Sequence, residues 1–156
     1  MNKNLHSSPP GGLVLSIDAG TQSIRAMLVD PDGGMRDKVK QPIEPYFSDN
    51  PGWAEQDPEY YWNTLCDVCR RLLEGTSERV GDIRGVAVTT QRGTMVNLDR
   101  DGRPLRPAIT WLDQRKALLE NWPPPAFRAL LKMLNILDAV EFAMRECEAN
   151  WIRQNQ

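Results

Sequence analysis

Three strand-like runs precede the first helical pattern, and that order constrains the fold more than any other feature of the chain. Leu13-Val14-Leu15-Ser16-Ile17 is apolar and ends in Asp18-Ala19-Gly20-Thr21-Gln22-Ser23, which has turn composition. From Ile24 to Val29, residues Ile24, Ala26 and Leu28 alternate with Arg25, Met27 and Val29, the period of a strand. Asp30-Pro31-Asp32-Gly33-Gly34 is a strong turn signal. Met35 to Gln41 then reads as a third strand, polar enough to lie near a sheet edge. Two hairpins in succession predict an antiparallel start to a sheet. A parallel βαβ domain would alternate strand and helix from the beginning.

The rest of the chain reads as helix and strand in mixture. Pro42 to Asp57 is a long connection carrying Pro42, Pro45, Pro51 and Gly52, and loops of that length are often functional. Asp57-Pro58 predicts a helix start, with Asp as cap and Pro at the first helical position. Trp62, Leu65, Cys66, Cys69, Leu72 and Leu73 recur at spacings of three and four, and Gly75 is a natural stop. Ile83 to Thr90 predicts a strand, Thr94 to Leu98 another, and Pro107 to Trp111 a short one. From Asp113 the pattern is helical, interrupted at Trp122-Pro123-Pro124-Pro125. It continues from Ala126 to Trp151 with a break near Asn135.

Composition removes several function classes. The 156 residues suit one domain, and 40% hydrophobic against 26% charged residues is enough for a core. A net charge of -2 offers no electrostatic footprint for nucleic acid. Apolar runs fall short of the roughly 20 residues that span a bilayer, which argues against a membrane protein. Residues 1–12 are polar and rich in Ser, Pro and Gly, a flexible N-terminal tail without the apolar stretch of a secretory signal. The expected location is cytoplasmic. Three cysteines, an odd number, argue against a disulfide framework. His6 in the tail is the only histidine, so neither a Ser-His-Asp triad nor a His-rich zinc site can be built.

Three segments could carry chemistry. In the first, Asp18 ends a buried strand and could hold a magnesium ion directly or through water. Gly20 permits a tight turn, while Thr21 and Ser23 offer hydroxyls, the turn offers N–H groups to an anion, and Arg25 could add a charged contact. The alternative is a hairpin turn that uses Asp and Gly only for backbone shape. The second is Thr89-Thr90-Gln91-Arg92-Gly93-Thr94 at a strand end, where Gln91 and Arg92 could donate to several hydroxyls. A solvated loop would look the same. The third is Ile109-Thr110-Trp111-Leu112-Asp113-Gln114-Arg115, where an aromatic ring beside charged groups suits a sugar. A buried tryptophan before a charged helical turn is its plain alternative. Cys66-Asp67-Val68-Cys69 has C-x-x-C spacing, but on an amphipathic helix it reads as packing rather than redox chemistry.

Taken in order, these segments resemble the FGGY carbohydrate kinases. Asp18 to Arg25 is similar to the family's first phosphate motif, D-x-G-T-x-S-x-R. Pro51-Gly52-Trp53-Ala54-Glu55-Gln56-Asp57-Pro58 resembles its G-W-x-E-x-D-P segment. Thr90-Gln91-Arg92 and Ala108 to Arg115 resemble its Q-R and W-x-D-x-R segments. The resemblance implies an α/β fold of the ribonuclease-H-like type shared by actin, hexokinase and the Hsp70 ATPase. It implies that 13–156 is part of a substrate-binding domain, with the second, ATP-binding domain absent. It implies phosphate or nucleotide binding at Gly20, Thr21, Gln22, Ser23 and Arg25, magnesium at Asp18, and ATP as donor with most of its site elsewhere. It implies sugar or polyol contacts at Gln91, Arg92, Trp111 and Asp113. The general-base aspartate is expected beyond Gln156, so the chain alone would not phosphorylate a substrate. Gly93 stands where glycerol kinases carry a carboxylate, which argues against glycerol. Two other readings stay open: a short sugar- or partner-binding protein without catalysis, and an assembly module reusing the actin-like fold. A partial domain would also expose apolar surface and self-associate.

Overall fold

The computed structural model describes residues 12–78, 80–119 and 124–155. The tail before Gly12 and the Trp122-Pro123 part of the expected interruption lie outside the described residues. The chain forms two compact units. One takes Met1–Phe47 and Glu55–Trp111, the other Ser48–Ala54 and Leu112–Gln156, within the described ranges.

The first unit is built on the expected meander: β1 (Leu13–Ala19), β2 (Ser23–Val29) and β3 (Met35–Pro42). A short strand β4 (Glu55–Gln56) then leads into helix α1 (Pro58–Gly75), and β5 (Ile83–Thr89) follows. β5 runs parallel to β1, giving a sheet ordered β3-β2-β1-β5. A two-residue strand, β6 (Ala108–Ile109), pairs with β4 in a second small sheet. Alternation in β1 and β2 puts Leu13, Leu15, Ile17, Ile24, Ala26 and Leu28 on one face, where Val68 and Leu72 of α1 meet them. Asp57 caps α1 by accepting from the Glu59 N–H at 2.9 Å, and Pro58 occupies the first turn.

The helix is rotated from the face expected for it. Trp62 is 60% exposed, while Tyr61, Leu65, Val68, Cys69 and Leu72 pack on the sheet. That set has the spacing i, i+4, i+7, i+8, i+11, a cleaner stripe than the one centred on Trp62. Cys69 packs against the core and its thiol is pushed up by burial and then by Cys66, which disfavours the reactive thiolate.

The expected strand from Thr94 to Leu98 is reduced to isolated pairings, Met95 with Ile109 and Leu98 with Pro104. The Asp99 carboxylate accepts from the N–H groups of Asp101 and Arg103, each at 2.8 Å, and closes that excursion as a turn.

In the second unit the segment 113–119 forms neither helix nor strand, against the helical expectation. Its N–H groups find partners far along the chain: Gln114 donates to the Gly52 carbonyl at 2.8 Å, and Ala117 to that of Arg145 at 2.9 Å. Leu118 exchanges two bonds with the Gln154 side chain, each at 2.8 Å. A helix would have required those donors for itself. Helices α2 (Pro125–Met133), α3 (Leu137–Glu146) and α4 (Glu148–Asn155) follow. The expected break at Asn135 is real. Asn135 has φ 56°, and the Ile136 N–H reaches back to the Leu131 carbonyl at 3.0 Å, the bond that closes a Schellman motif.

Candidate functional site

In the first unit the site grows from the end of β1. Antiparallel register sets Asp18 opposite Arg25 on β2, and parallel register sets Asp18 beside Thr89 on β5. Arg25 Nη1 lies 2.5 Å from Asp18 Oδ2, and Thr89 Oγ1 donates to Asp18 Oδ1 at 3.1 Å. Because side chains alternate along β1, Asp18 emerges on the face opposite the one that α1 covers. The pair remains open to water, with Asp18 34% and Arg25 40% exposed.

The turn from Ala19 to Ser23 is fixed from several sides. The Gly20 N–H bonds to the Ser23 carbonyl at 3.1 Å, closing the turn. A Cβ on Gly20 would stand 3.2 Å from that same carbonyl oxygen, so a larger residue would press on the closure. Trp111 Nε1 donates to Thr21 Oγ1 at 3.0 Å while the Trp111 side of the chain stays 54% exposed. The Gln22 carbonyl accepts from the Ile43 N–H at 3.0 Å, and Ser23 is buried at the start of β2.

Of the residues expected at the site, Asp18 pairs with Arg25, Gly20 is approached by Gln91, and Thr21 bonds to Trp111, as three separate contacts around the turn that follows β1. Gln91 is drawn inward: its Nε2 lies 3.4 Å from the Gly20 carbonyl, and its Oε1 accepts from Thr94 at 3.1 Å. Arg92 is exposed, and no described residue engages its guanidinium. Gly93 has φ 67°, and a Cβ there would meet Trp111 Cβ at 3.5 Å. A cavity of about 470 Å³ opens beside this set, lined by Tyr61, Trp62, Leu65, Gln91, Thr94 and Leu98 among others.

Tyr61 is the member that sequence reasoning missed. Its hydroxyl donates to the Gly20 carbonyl at 2.8 Å and lies 3.4 Å from Gln91 Nε2. Burial pushes the Tyr61 phenol up, the Gln91 amide opposes this, and the Asp18 charge adds to it. The stripe Tyr61-Leu65-Val68-Cys69-Leu72 was the signal that could have found it.

Asp113 belongs to the second unit and is sealed. Its carboxylate takes Arg115 Nε at 2.7 Å, Arg115 Nη2 at 2.6 Å and the Ala54 N–H at 2.7 Å. Both side chains are 3% exposed. Burial works to raise the Asp113 pKa, but Arg115 and the Ala54 N–H outweigh it and hold the carboxyl below its usual range. The Arg115 guanidinium lies 3.9 Å from the Trp53 ring centre and 4.7 Å from that of Trp151. The two rings meet edge to face at 5.5 Å. In this arrangement Asp113 holds a core together, and both its oxygens are committed.

A mixed sheet that opens as an antiparallel meander, with polar motifs at the end of its first strand, has the ribonuclease-H-like arrangement. The comparisons carry this further. The profile of the FGGY family of carbohydrate kinases, N-terminal domain, matches residues 13–126. The chain belongs to this family. A glycerol kinase of Rhizobium meliloti is 35% identical over 108 residues, 69% of this chain and 22% of that protein. Among solved structures, xylulose kinase from Rhodospirillum rubrum shares 30% identity at a TM-score of 0.58, covering 78% of this chain and 23% of that one. Glycerol kinase from Plasmodium falciparum, solved with ADP, shares 32% at 0.57, covering 66% and 21%. The chain thus spans about a fifth of the length of the relatives it matches. Among the described residues no helix is long and apolar enough to cross a membrane.

Proposed function

We propose that this chain is the first part of the substrate-binding domain of an ATP-dependent kinase that phosphorylates a hydroxyl of a sugar or polyol. One observation carries the reading: at the end of β1, Asp18 pairs with Arg25 while both stay open to solvent, and Thr21 of the same turn is bonded by Trp111 from a distant motif. In this reading the turn from Gly20 to Ser23, with Arg25, faces the phosphoryl group. Arg92 and Trp111 contact the substrate hydroxyls and ring face, and Gln91 shapes that wall. Asp113 supports the segment that follows Trp111 in sequence instead of touching substrate, because its oxygens are already taken.

Magnesium and ATP fit the residues present to a limited degree. No cluster of three acidic, Cys or His ligands occurs among the described residues, so Asp18 would act as a single carboxylate. That suits magnesium, which keeps several of its waters. When bound, the ion would neutralise phosphate charge. The chain's own share is to orient: Arg25 steadies the carboxylate, and Thr21 presents its hydroxyl and N–H to an anion. None of the described residues takes the role of general base in this proposal. Three free cysteines agree with a cytoplasmic setting.

The substrate class stays at sugar or polyol. Gly93 supplies no carboxylate beside Arg92, which favours a larger sugar over glycerol. Calorimetric titration with pentoses, ketoses and polyols, with and without magnesium ATP, tests the reading. Binding of one sugar without turnover is the expected result, and silence from every sugar in both conditions would remove its basis.

Self-association is part of the proposal. Val86 and Val88 on β5 are 62% and 55% exposed, and β5 is an edge strand without Lys, Pro or acidic residues after Arg84. The other edge, β3, carries Arg36, Asp37, Lys38 and Lys40 and ends at Pro42. Pairing of β5 with a second copy is expected, and a monomer at high concentration by sedimentation would contradict it.

A further inference from the structure

The Gly20 carbonyl is the most heavily engaged acceptor of the turn. Tyr61 donates to it from α1 at 2.8 Å, and Gln91 approaches it from the loop after β5 at 3.4 Å. Across a trans peptide the carbonyl of one residue and the N–H of the next point in opposite directions. Fixing the Gly20 carbonyl toward Tyr61 therefore fixes the Thr21 N–H toward the other side of the peptide. Among the described residues no acceptor takes that N–H. The neighbouring donor, the Gly20 N–H, is consumed inside the turn by Ser23. The turn thus offers an oriented, unspent donor, and its orientation is set from outside the turn.

We infer that Tyr61 is a positioning residue which, by holding the Gly20 carbonyl, aims the Thr21 N–H as an anion donor. Gln91 ties that aim to the loop from Thr90 to Thr94, because Gln91 touches both the Gly20 carbonyl and the Tyr61 hydroxyl and is itself held by Thr94. The loop that faces substrate and the turn that faces phosphate therefore share one hydrogen-bond junction. This rests on the proposed phosphate role of the turn. The raised phenol pKa agrees with it, since only the protonated hydroxyl can donate to a carbonyl.

The test uses the full chain and Tyr61→Phe, which keeps the ring and removes only the hydroxyl. Amide 15N–1H spectra are recorded without ligand and during titration with inorganic pyrophosphate. Tyr61→Phe is expected to move the Thr21 amide signal and to weaken pyrophosphate binding about tenfold, as for one lost hydrogen bond of ~1.4 kcal/mol. Leu65→Ala, on the same helix face, should lower stability yet leave the Thr21 signal in place, which separates positioning from packing. Gln91→Leu should act as Tyr61→Phe does, more weakly, and serves if the latter fails to fold. An unmoved Thr21 signal in the Tyr61 variant overturns the inference whether or not pyrophosphate binds. A moved signal with unchanged affinity overturns its functional half. Failure of the unaltered chain to bind pyrophosphate overturns the phosphate reading instead, and is distinguished because the ligand-free signal still reports on Tyr61.

Discussion

Two aspartate–arginine pairs in this chain have the same chemistry and opposite surroundings. Asp18–Arg25 bridges two strands in the first unit and is more than a third exposed on both sides, within rounding of 34% and 40%. Asp113–Arg115 in the second unit is sealed at 3% on each side, its guanidinium against two tryptophan rings. An exposed pair adds little to stability, because water solvates either charge nearly as well as its partner does. A sealed pair has no such alternative, so loss of one partner strands the other. The difference separates a pair open to solvent, which the proposed function assigns to ligand binding, from one closed off by its own chain. Sequence motifs alone give the two pairs equal standing.

The largest effect is expected from Arg115→Met. It strands the Asp113 carboxylate and removes the ring contacts of Trp53 and Trp151, at a cost of about 3–5 kcal/mol. Chemical denaturation followed by tryptophan fluorescence reads it. If the loss were under about 1 kcal/mol, the sealed pair would be energetically no different from a surface pair.

Acid titration sharpens the same contrast. The Asp113 carboxyl is held below its ordinary value of 3.8. A lowered folded-state pKa means that the unfolded chain binds the proton first. Its contribution is therefore present above that ordinary value and is lost as pH falls through the lower folded value. Asp113→Asn should flatten this acid limb in a pH series of melting curves while lowering stability at neutral pH. An acid limb unchanged by that substitution would assign it to other carboxylates, such as Asp30, which Gly34 and Arg36 also hold below the usual range.

Asp18→Asn should lower stability by less than about 1 kcal/mol, since its pair is exposed. Its effect is expected in ligand response instead, as loss of any magnesium-dependent binding in titration calorimetry. The smallest effect belongs to Trp111→Phe. It removes the Nε1 bond to Thr21 from a half-exposed side chain, at about 0.5–1.5 kcal/mol. Sugar binding should weaken more than stability does.

Much of the first unit was legible because its signals are local. Alternation from Leu13 to Val29, the turn at Asp30 to Gly34 and the Asp57-Pro58 helix start each act within a few residues, and each is present. The helix face is not legible from apolarity alone, because Trp62, a large apolar residue, competes with the cleaner stripe through Tyr61. The composition after Asp113 allows a helix. What overrides composition there is partners far along the chain: the Gly52 carbonyl, the Arg145 carbonyl and the Gln154 side chain. Asn135 was readable because its left-handed conformation is one that asparagine tolerates better than most residues. At the site, residue types were legible from motifs, but which of them are spent internally was not. Gln91 and Asp113 both look like ligand groups in one dimension, and both are engaged by their own chain.

Parallel thermal unfolding of Asp18→Asn and Asp113→Asn, each with and without magnesium pyrophosphate, tests the contrast most directly. The account predicts that Asp18→Asn melts close to the unaltered chain and gains nothing from the ligand, while Asp113→Asn melts markedly lower and still gains from it where folded. Asp113→Asn melting unchanged, with Asp18→Asn collapsing, would contradict the account.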